Sequence, residues 1–225
     1  MRDILPDFVV DEIRKHYLAG VADAEAKYKF NAADEDALTG ALGGQLSTVR
    51  PMVLDADGRI YAVDIGVYKT RGRGTGAPEK KDGNDGIFQI EVMQNGRLLR
   101  RKGLPFQAKN RWKGGNKTLV NQCTKMQNRF GDGVAINYHP DNYSACLGEV
   151  VISTGGNKKK LKASDAIQPL GQLLGNDFLE CKVGKIGLYF DPAKLEYATE
   201  DIPTWLFSTR VATFDPASSG GSGDS

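Results

Sequence analysis

An α/β domain with a central mixed sheet flanked by helices is the fold class this sequence predicts, and three observations carry it. Apolar residues recur at helical spacing through the first 46 positions, and period-two alternation follows in "RIYAVDIGVYK". A helical stretch, "NKTLVNQCTKMQNRF", then separates a hairpin signal from the strand-like "DGVAINYHP". Helices interleaved with strands along 225 residues call for one sheet with helices packed on it.

Each element has its own signal. Residues 7–29 place Phe8, Ile13, Tyr17, Leu18 and Val21 at loosely helical spacing, and "NAADEDALTGALGGQLSTV" sets Leu38, Leu42 and Leu46 on one stripe, so two helices open the chain. In "RIYAVDIGVYK", Tyr61, Val63, Ile65 and Val67 alternate with Ile60, Ala62 and Asp64, and a glycine-rich basic loop follows over residues 71–83. Two strands span residues 84–110, and a helix marked by Leu119, Cys123, Met126 and Phe130 comes next. "DGVAINYHP" and "ACLGEVVIST" read as strands, "KASDAIQPLGQLLG" as a proline-containing helix, and "KIGLYFD" as a strand before an irregular end. Residues 1–215 form a single domain, and "PASSGGSGDS", residues 216–225, is a flexible Gly/Ser tail or linker.

Composition narrows the class. A hydrophobic share of 40% with 26% charged residues fits a soluble globular protein, and no apolar run approaches the roughly 20 residues a membrane span needs. The opening "MRDILPDFVVDEIRKHYLAG" lacks the basic-then-apolar order of a secretory signal, so the expected location is cytoplasmic. Cys123, Cys146 and Cys181 are widely spaced without a CxxC, which points to buried thiols rather than disulfides or structural zinc. Net charge is only +2, yet "YKTRGRGTGAPEKK", "RLLRRK" and "NKKKLK" concentrate it into clusters suited to a polyanion, or simply to solvated loops. His16 and His139 lack partner spacing for zinc or a triad and read as structural. "GRGTGAPEKK" is neither a Walker loop nor a GxGxxG after a strand.

The stretch "NDGIFQIEVMQNGRLLRRKGLPFQAKN" holds the candidate site. Asn95-Gly96 is a two-residue hairpin signal, because both central positions of the favoured turn need positive φ. A tight turn alone would set Asp85 against Phe106 and put Phe88, Ile90 and Val92 on the face opposite to Leu104, Phe106 and Ala108. A one-residue bulge, with Gly103 as the candidate, brings both apolar sets to one core. The same slip places Asp85 across from Gln107, with α-carbons about 5 Å apart, and Lys109 two residues along on that face.

An aspartate at a strand, a hairpin partner carrying QxK and a glutamate on a preceding helix resemble the PD-(D/E)xK restriction-endonuclease-like superfamily, in its D-QxK, Mrr-like variant. The likeness covers roughly residues 30–140; no proline precedes Asp85, and Gln107 stands where an acidic ligand is commoner. The resemblance implies a restriction-endonuclease-like mixed sheet and a magnesium (or manganese) ion held by Asp85, Gln107, the Ala108 carbonyl and a glutamate from "DEDALTG". Glu35 shares the stripe of Leu38 and Leu42, whereas Asp36 turns toward Thr39 and Gly43, so Glu35 is preferred; "DED" also reads simply as acid in a first helical turn. Lys109 would orient the attacking water or stabilise charge on the phosphorane, or be an ordinary edge lysine.

Arg71, Arg73, Lys80 and Lys81 from the basic loop, with Arg111 and Lys113 after the motif, are candidate nucleic-acid contacts. Trp112 reads equally as a nucleic-acid contact or as core, Gln122 as a site neighbour or a solvent-facing residue, and Glu91 as surface. The expected function is a metal-dependent DNA endonuclease, the effector of a prokaryotic anti-phage or restriction system, working as a homo-oligomer or with a fused or associated sensor module. The alternative is a catalytically inactive nucleic-acid-binding or assembly module with the same fold.

Overall fold

The computed structural model describes residues 1–70, 82–191 and 203–215; Arg71, Arg73, Lys80, Lys81 and the tail at 216–225 lie outside the described residues. Pro6 caps α1 (Asp7–Ala26), whose buried stripe is Val9, Val10, Ile13, Tyr17, Val21 and Ala24. Phe8, expected on that stripe, is 50% exposed, because the helix turns its neighbour Val9 inward instead. A short α2 (Tyr28–Asn31) leads to α3 (Glu35–Leu46), capped by the Asp34 side chain accepting from the Asp36 N–H. Leu38, Leu42 and Leu46 are buried as expected. The two long helices pack closely, since a Cβ at Gly20 would stand 2.8 Å from Leu46 Cδ2 and 2.9 Å from the Gln45 carbonyl.

A hairpin of β1 (Met52–Ala56) and β2 (Arg59–Lys69) follows, turned by Asp57 and Gly58 with φ of 53° and 70°. β3 (Gly86–Gln94) and β4 (Arg97–Asn110) form the second hairpin, and Asn95 and Gly96 take the positive φ values (47° and 77°) that their turn demands. The register has the anticipated slip: Gly86 faces Phe106 and Phe88 faces Leu104. The shift lies between Val92 and Met93, where Leu99 is the extra residue, and not at Gly103. Gly103 serves close approach instead, because a Cβ there would meet Ile87 Cδ1 at 2.6 Å and the Leu188 carbonyl at 2.7 Å.

Asn116 caps α4 (Lys117–Phe130), which carries the chain across to β5 (Val134–Tyr138), parallel to β4. The expected strand "ACLGEVVIST" divides into β6 (Tyr143–Leu147) and α5 (Gly148–Ser153). Its β-branched residues favour a strand, but the Gly148 N–H donates to the Gly133 carbonyl and Val151 is buried, so packing overrides propensity. The "NKKKLK" run forms α6 (Lys158–Ala163), capped by Asn157. The proline-containing helix begins as a two-residue strand, β7 (Gln168–Pro169), before α7 (Leu170–Gln172) widens into a π-helical segment (Leu173–Phe178). "KIGLYFD" contributes only β8 (Lys185–Ile186).

The irregular end expected after it is instead β9 (Trp205–Phe214), antiparallel to β2 and parallel to β3. Among the described residues the sheet has nine strands, ordered β1-β2-β9-β3-β4-β5-β6-β7, with β8 beside β4. The fold is therefore α/β with a mixed sheet flanked by helices. On one face α1, α3 and the π-helical segment bury Phe88, Phe106 and Phe207, whose rings stand 4.8 to 5.6 Å apart. On the other, Leu119, Cys123, Met126 and Phe130 of α4 pack with Trp112, Ala135 and Cys146. Glu91, read as surface, is only 3% exposed and pairs with Arg101 at 2.5 Å and Arg210 at 3.2 Å, because β9 covers it. Among the described residues no helix is long and apolar enough to cross a membrane.

Three expected outcomes rest on this packing. A Cβ at Gly86 would lie 2.7 Å from the Trp205 carbonyl, backbone that cannot swing aside, so Gly86→Ala should destabilise by about 1–3 kcal/mol in urea unfolding. Gly44→Ala, with nothing within 4 Å of its Cβ, should be neutral or stabilising. Lys102 is fully buried, its ammonium donates to the Phe178 carbonyl, and burial pushes its pKa down to about 8 from 10.5. Between those pH values the unfolded chain holds a proton that the folded chain does not. Stability relative to Lys102→Met should therefore rise from pH 8 to 10, which paired denaturation curves would measure.

Candidate active site

The candidate site forms where β3 begins and β4 ends. Backbone pairing fixes Asp85 first: its N–H donates to the Phe106 carbonyl at 2.9 Å and its carbonyl accepts from the Trp205 N–H at 3.1 Å. Asp85 is thus clamped between β4 and β9, and the register turns its side chain toward Gln107. Asp85 Oδ2 accepts from Gln107 Nε2 at 2.5 Å and from the Ala108 N–H at 2.7 Å. Gln107 Nε2 also donates to the Ala108 carbonyl at 3.1 Å. A carboxylate, an amide and both backbone polar groups of Ala108 meet at one point.

Glu35 reaches this edge from α3. Its Oε2 accepts from the Asn110 N–H at 2.8 Å, and its Oε1 lies 3.6 Å from Lys109 Nζ. Asp36 turns the other way, pairing with Lys69 and accepting from Trp205 Nε1 at 2.8 Å. Adjacent acids thus do separate work: Asp36 ties α3 to β2 and β9, while Glu35 extends over the end of β4. Lys109 lies on the α4 side, where its charge opposes the burial that pushes the Cys123 thiol up to about 12. Tyr138 lies below with its hydroxyl 3.1 Å from Thr39 Oγ1. Burial above all, with the charges of Asp85 and Glu35, holds its pKa well above the ordinary phenol value.

The chemistry of the donors can be tested against a divalent ion. Gln107 Oε1 is buried without a hydrogen-bond partner among the described residues, an acceptor that costs about 1–3 kcal/mol if left so. An oxygen ligand for a hard cation, or an ordered water, is what such an atom lacks. Among the described residues no group of three or more His, Cys, Asp or Glu side chains is placed to hold a metal. The set here is two carboxylates, an amide oxygen and a backbone carbonyl, which suits magnesium better than zinc.

Other expected contacts separate. Arg111 is exposed at φ 52°, donates from Nε to the Tyr28 hydroxyl at 2.8 Å and stands over its ring. Lys113 is exposed beside it. Trp112 is core: it is buried, and its indole donates to the Gly156 carbonyl at 3.2 Å. Gln122 is half-buried, and its backbone meets Gly83, whose added Cβ would stand 2.2 Å from the Gln122 carbonyl. Gln122 therefore borders the strand entry to Asp85. His16 bonds the Leu46 carbonyl at 2.7 Å, a structural role as expected. Asn110 and Tyr28 carry no site signal in the sequence pattern beyond the adjacency of Asn110 to Lys109; the Asn110 side chain accepts from Tyr28 and donates to the Ala32 carbonyl, bracing the segment that leads into Glu35's helix. Comparison with protein-family models, curated proteins and solved structures finds no match.

These contacts separate stability from chemistry. Asp85→Ala strips acceptors from the Ala108 N–H and the Gln107 amide and should cost about 1–3 kcal/mol in chemical denaturation. Lys109→Ala, which loses one partly exposed pair at 3.6 Å, should cost less than about 1 kcal/mol.

Proposed function

We propose that this chain is a metal-dependent DNA endonuclease of restriction-endonuclease-like design, using magnesium or manganese. The observation that carries the reading is the meeting of Asp85, the Gln107 amide and the Ala108 peptide at one hairpin end, with Lys109 and Glu35 alongside. Asp85, Gln107 Oε1, the Ala108 carbonyl and Glu35 are the groups that would hold the cation. When bound, such an ion supplies charge neutralisation at a phosphate and a more acidic water.

The protein's own residues do the rest. The Ala108 N–H fixes the Asp85 carboxylate in one orientation, so little reorganisation is needed at the moment of reaction. Lys109, carried on a strand rather than a loop, offers an ammonium to a phosphate oxygen as its charge grows. Glu35 keeps that ammonium near the strand end. One such site cuts one strand, so double-strand cleavage calls for a homo-oligomer, and control calls for a fused or associated sensor module. A cytoplasmic role in prokaryotic anti-phage defence or restriction fits such an enzyme.

One observation favours a second reading, an inactive nucleic-acid-binding or assembly module. Gln107 already offers its amide hydrogens to Asp85, and Lys109 is already beside Glu35, so the cluster is partly neutralised without an ion.

Plasmid nicking in magnesium, with manganese uptake measured by calorimetry, separates the two. The nuclease reading expects nicking that falls by at least about 100-fold in Asp85→Ala and Lys109→Ala, and metal uptake lost in Asp85→Ala. An intact protein that binds DNA yet neither nicks it nor takes up metal would establish the inactive module.

A further inference from the structure

Past Lys109 the chain makes a turn over residues 111–114, where Arg111 and Gly114 hold φ of 52° and 62°. Four hydrogen bonds fix this turn. The Arg111 N–H donates to the Tyr138 carbonyl at 2.8 Å and the Trp112 N–H to Asn137 Oδ1 at 2.7 Å. Trp112 Nε1 donates to the Gly156 carbonyl, and the Lys158 N–H to the Gly114 carbonyl at 3.2 Å. The turn and α6 are thereby locked together around a cavity of about 280 Å³. Arg111, Lys113, His139, Lys158, Lys159 and Lys162 line it.

The charge of this cavity is unbalanced. Among the described residues none of these arginine and lysine side chains takes part in an ion pair. Among the described residues that line it there is no acid, and Asp141 of the adjoining pocket is 85% exposed and faces His139 at 3.3 Å. Lys158 and Lys162 are four apart on α6, on one side of the helix, where like charges repel. Burial first, and then the Lys162 charge, hold the Lys158 pKa below its ordinary value. Cations gathered in a braced concavity are stabilised by an anion that enters it.

We propose that this cavity is a phosphate-binding pocket that grips the backbone of a nucleic-acid strand next to the Asp85–Gln107–Lys109 site. Trp112 forms part of its wall as a buried residue and offers no stacking face, so the pocket reads charge and not base identity. Along extended backbone Arg111 lies about 7 Å beyond Lys109, the span of about two nucleotides at the roughly 3.4 Å axial rise of a stacked strand, so one strand can meet both. The direction of that strand rests on the nuclease reading; the affinity of the pocket for phosphate does not.

The test is fluorescence anisotropy of a labelled single-stranded oligonucleotide with EDTA present, at several salt concentrations. The Lys158→Gln/Lys162→Gln protein should bind at least tenfold more weakly at low salt, with a salt slope smaller by about 1.4. Arg97→Gln/Lys185→Gln, which removes two positive charges elsewhere, should bind as the intact protein does. Asp85→Ala should also retain binding, so failed cleavage and a failed pocket are told apart. A 5′-phosphorylated strand that outbinds its 5′-hydroxyl counterpart only when Lys158 and Lys162 are present identifies a terminal phosphate. Equal binding of the two strands, weakened equally by the double substitution, identifies an internal one. Unchanged affinity and slope in Lys158→Gln/Lys162→Gln, an equal loss in the control, or no binding by the intact protein would overturn the proposal.

Discussion

The candidate site depends on a one-residue slip between two strands. Because side chains alternate across a sheet, the extra residue at Leu99 decides which face every later residue of β4 presents. With the slip, Leu104, Phe106 and Ala108 join the core already formed by Phe88 and Ile90, while Gln107 and Lys109 come to the side where Asp85 waits. Apolar burial and polar convergence are thus the same event. The free energy that fixes the register comes from the buried rings, each contributing about 1.5–3 kcal/mol, and the polar cluster is carried along by it.

β9 makes this arrangement rigid. It supplies Phe207 to the aromatic cluster, its Trp205 N–H holds the Asp85 carbonyl, and its Trp205 indole holds Asp36 on α3. One residue, Trp205, therefore fixes both the strand that carries Asp85 and the helix that carries Glu35. Midway along the same strands Arg101 of β4 and Arg210 of β9 converge on Glu91 of β3, joining three adjacent strands through one buried carboxylate. The polar groups at the strand ends are held by a scaffold fastened a second time in its middle.

Much of this was legible in the sequence where the signal is local. The Asn95-Gly96 turn, the Leu38–Leu42–Leu46 stripe and the stripe of α4 all formed as their spacing implies. The slip was legible because two apolar faces had to agree, although its position was not, since Gly103 is small for the sake of Leu188. Asp57-Gly58 carries the same kind of turn signal for the β1–β2 hairpin. β9 was not legible as a central strand: nothing local in "WLFSTRVATF" says that it pairs with residues more than 100 positions away. The same distance in sequence makes Glu91 read as surface and leaves Trp112 open between core and contact, because what buries them comes from remote segments.

The place of β9 in the sheet has a consequence for how the protein is made. Synthesis runs from the amino terminus, so β2 and β3 emerge from the ribosome long before the strand that joins them. Until Trp205–Phe214 arrives, both present unpaired edges, and the nascent chain is open to mispairing with its neighbours. Completion of the sheet is a late step, and the clamp on Asp85 is made only then.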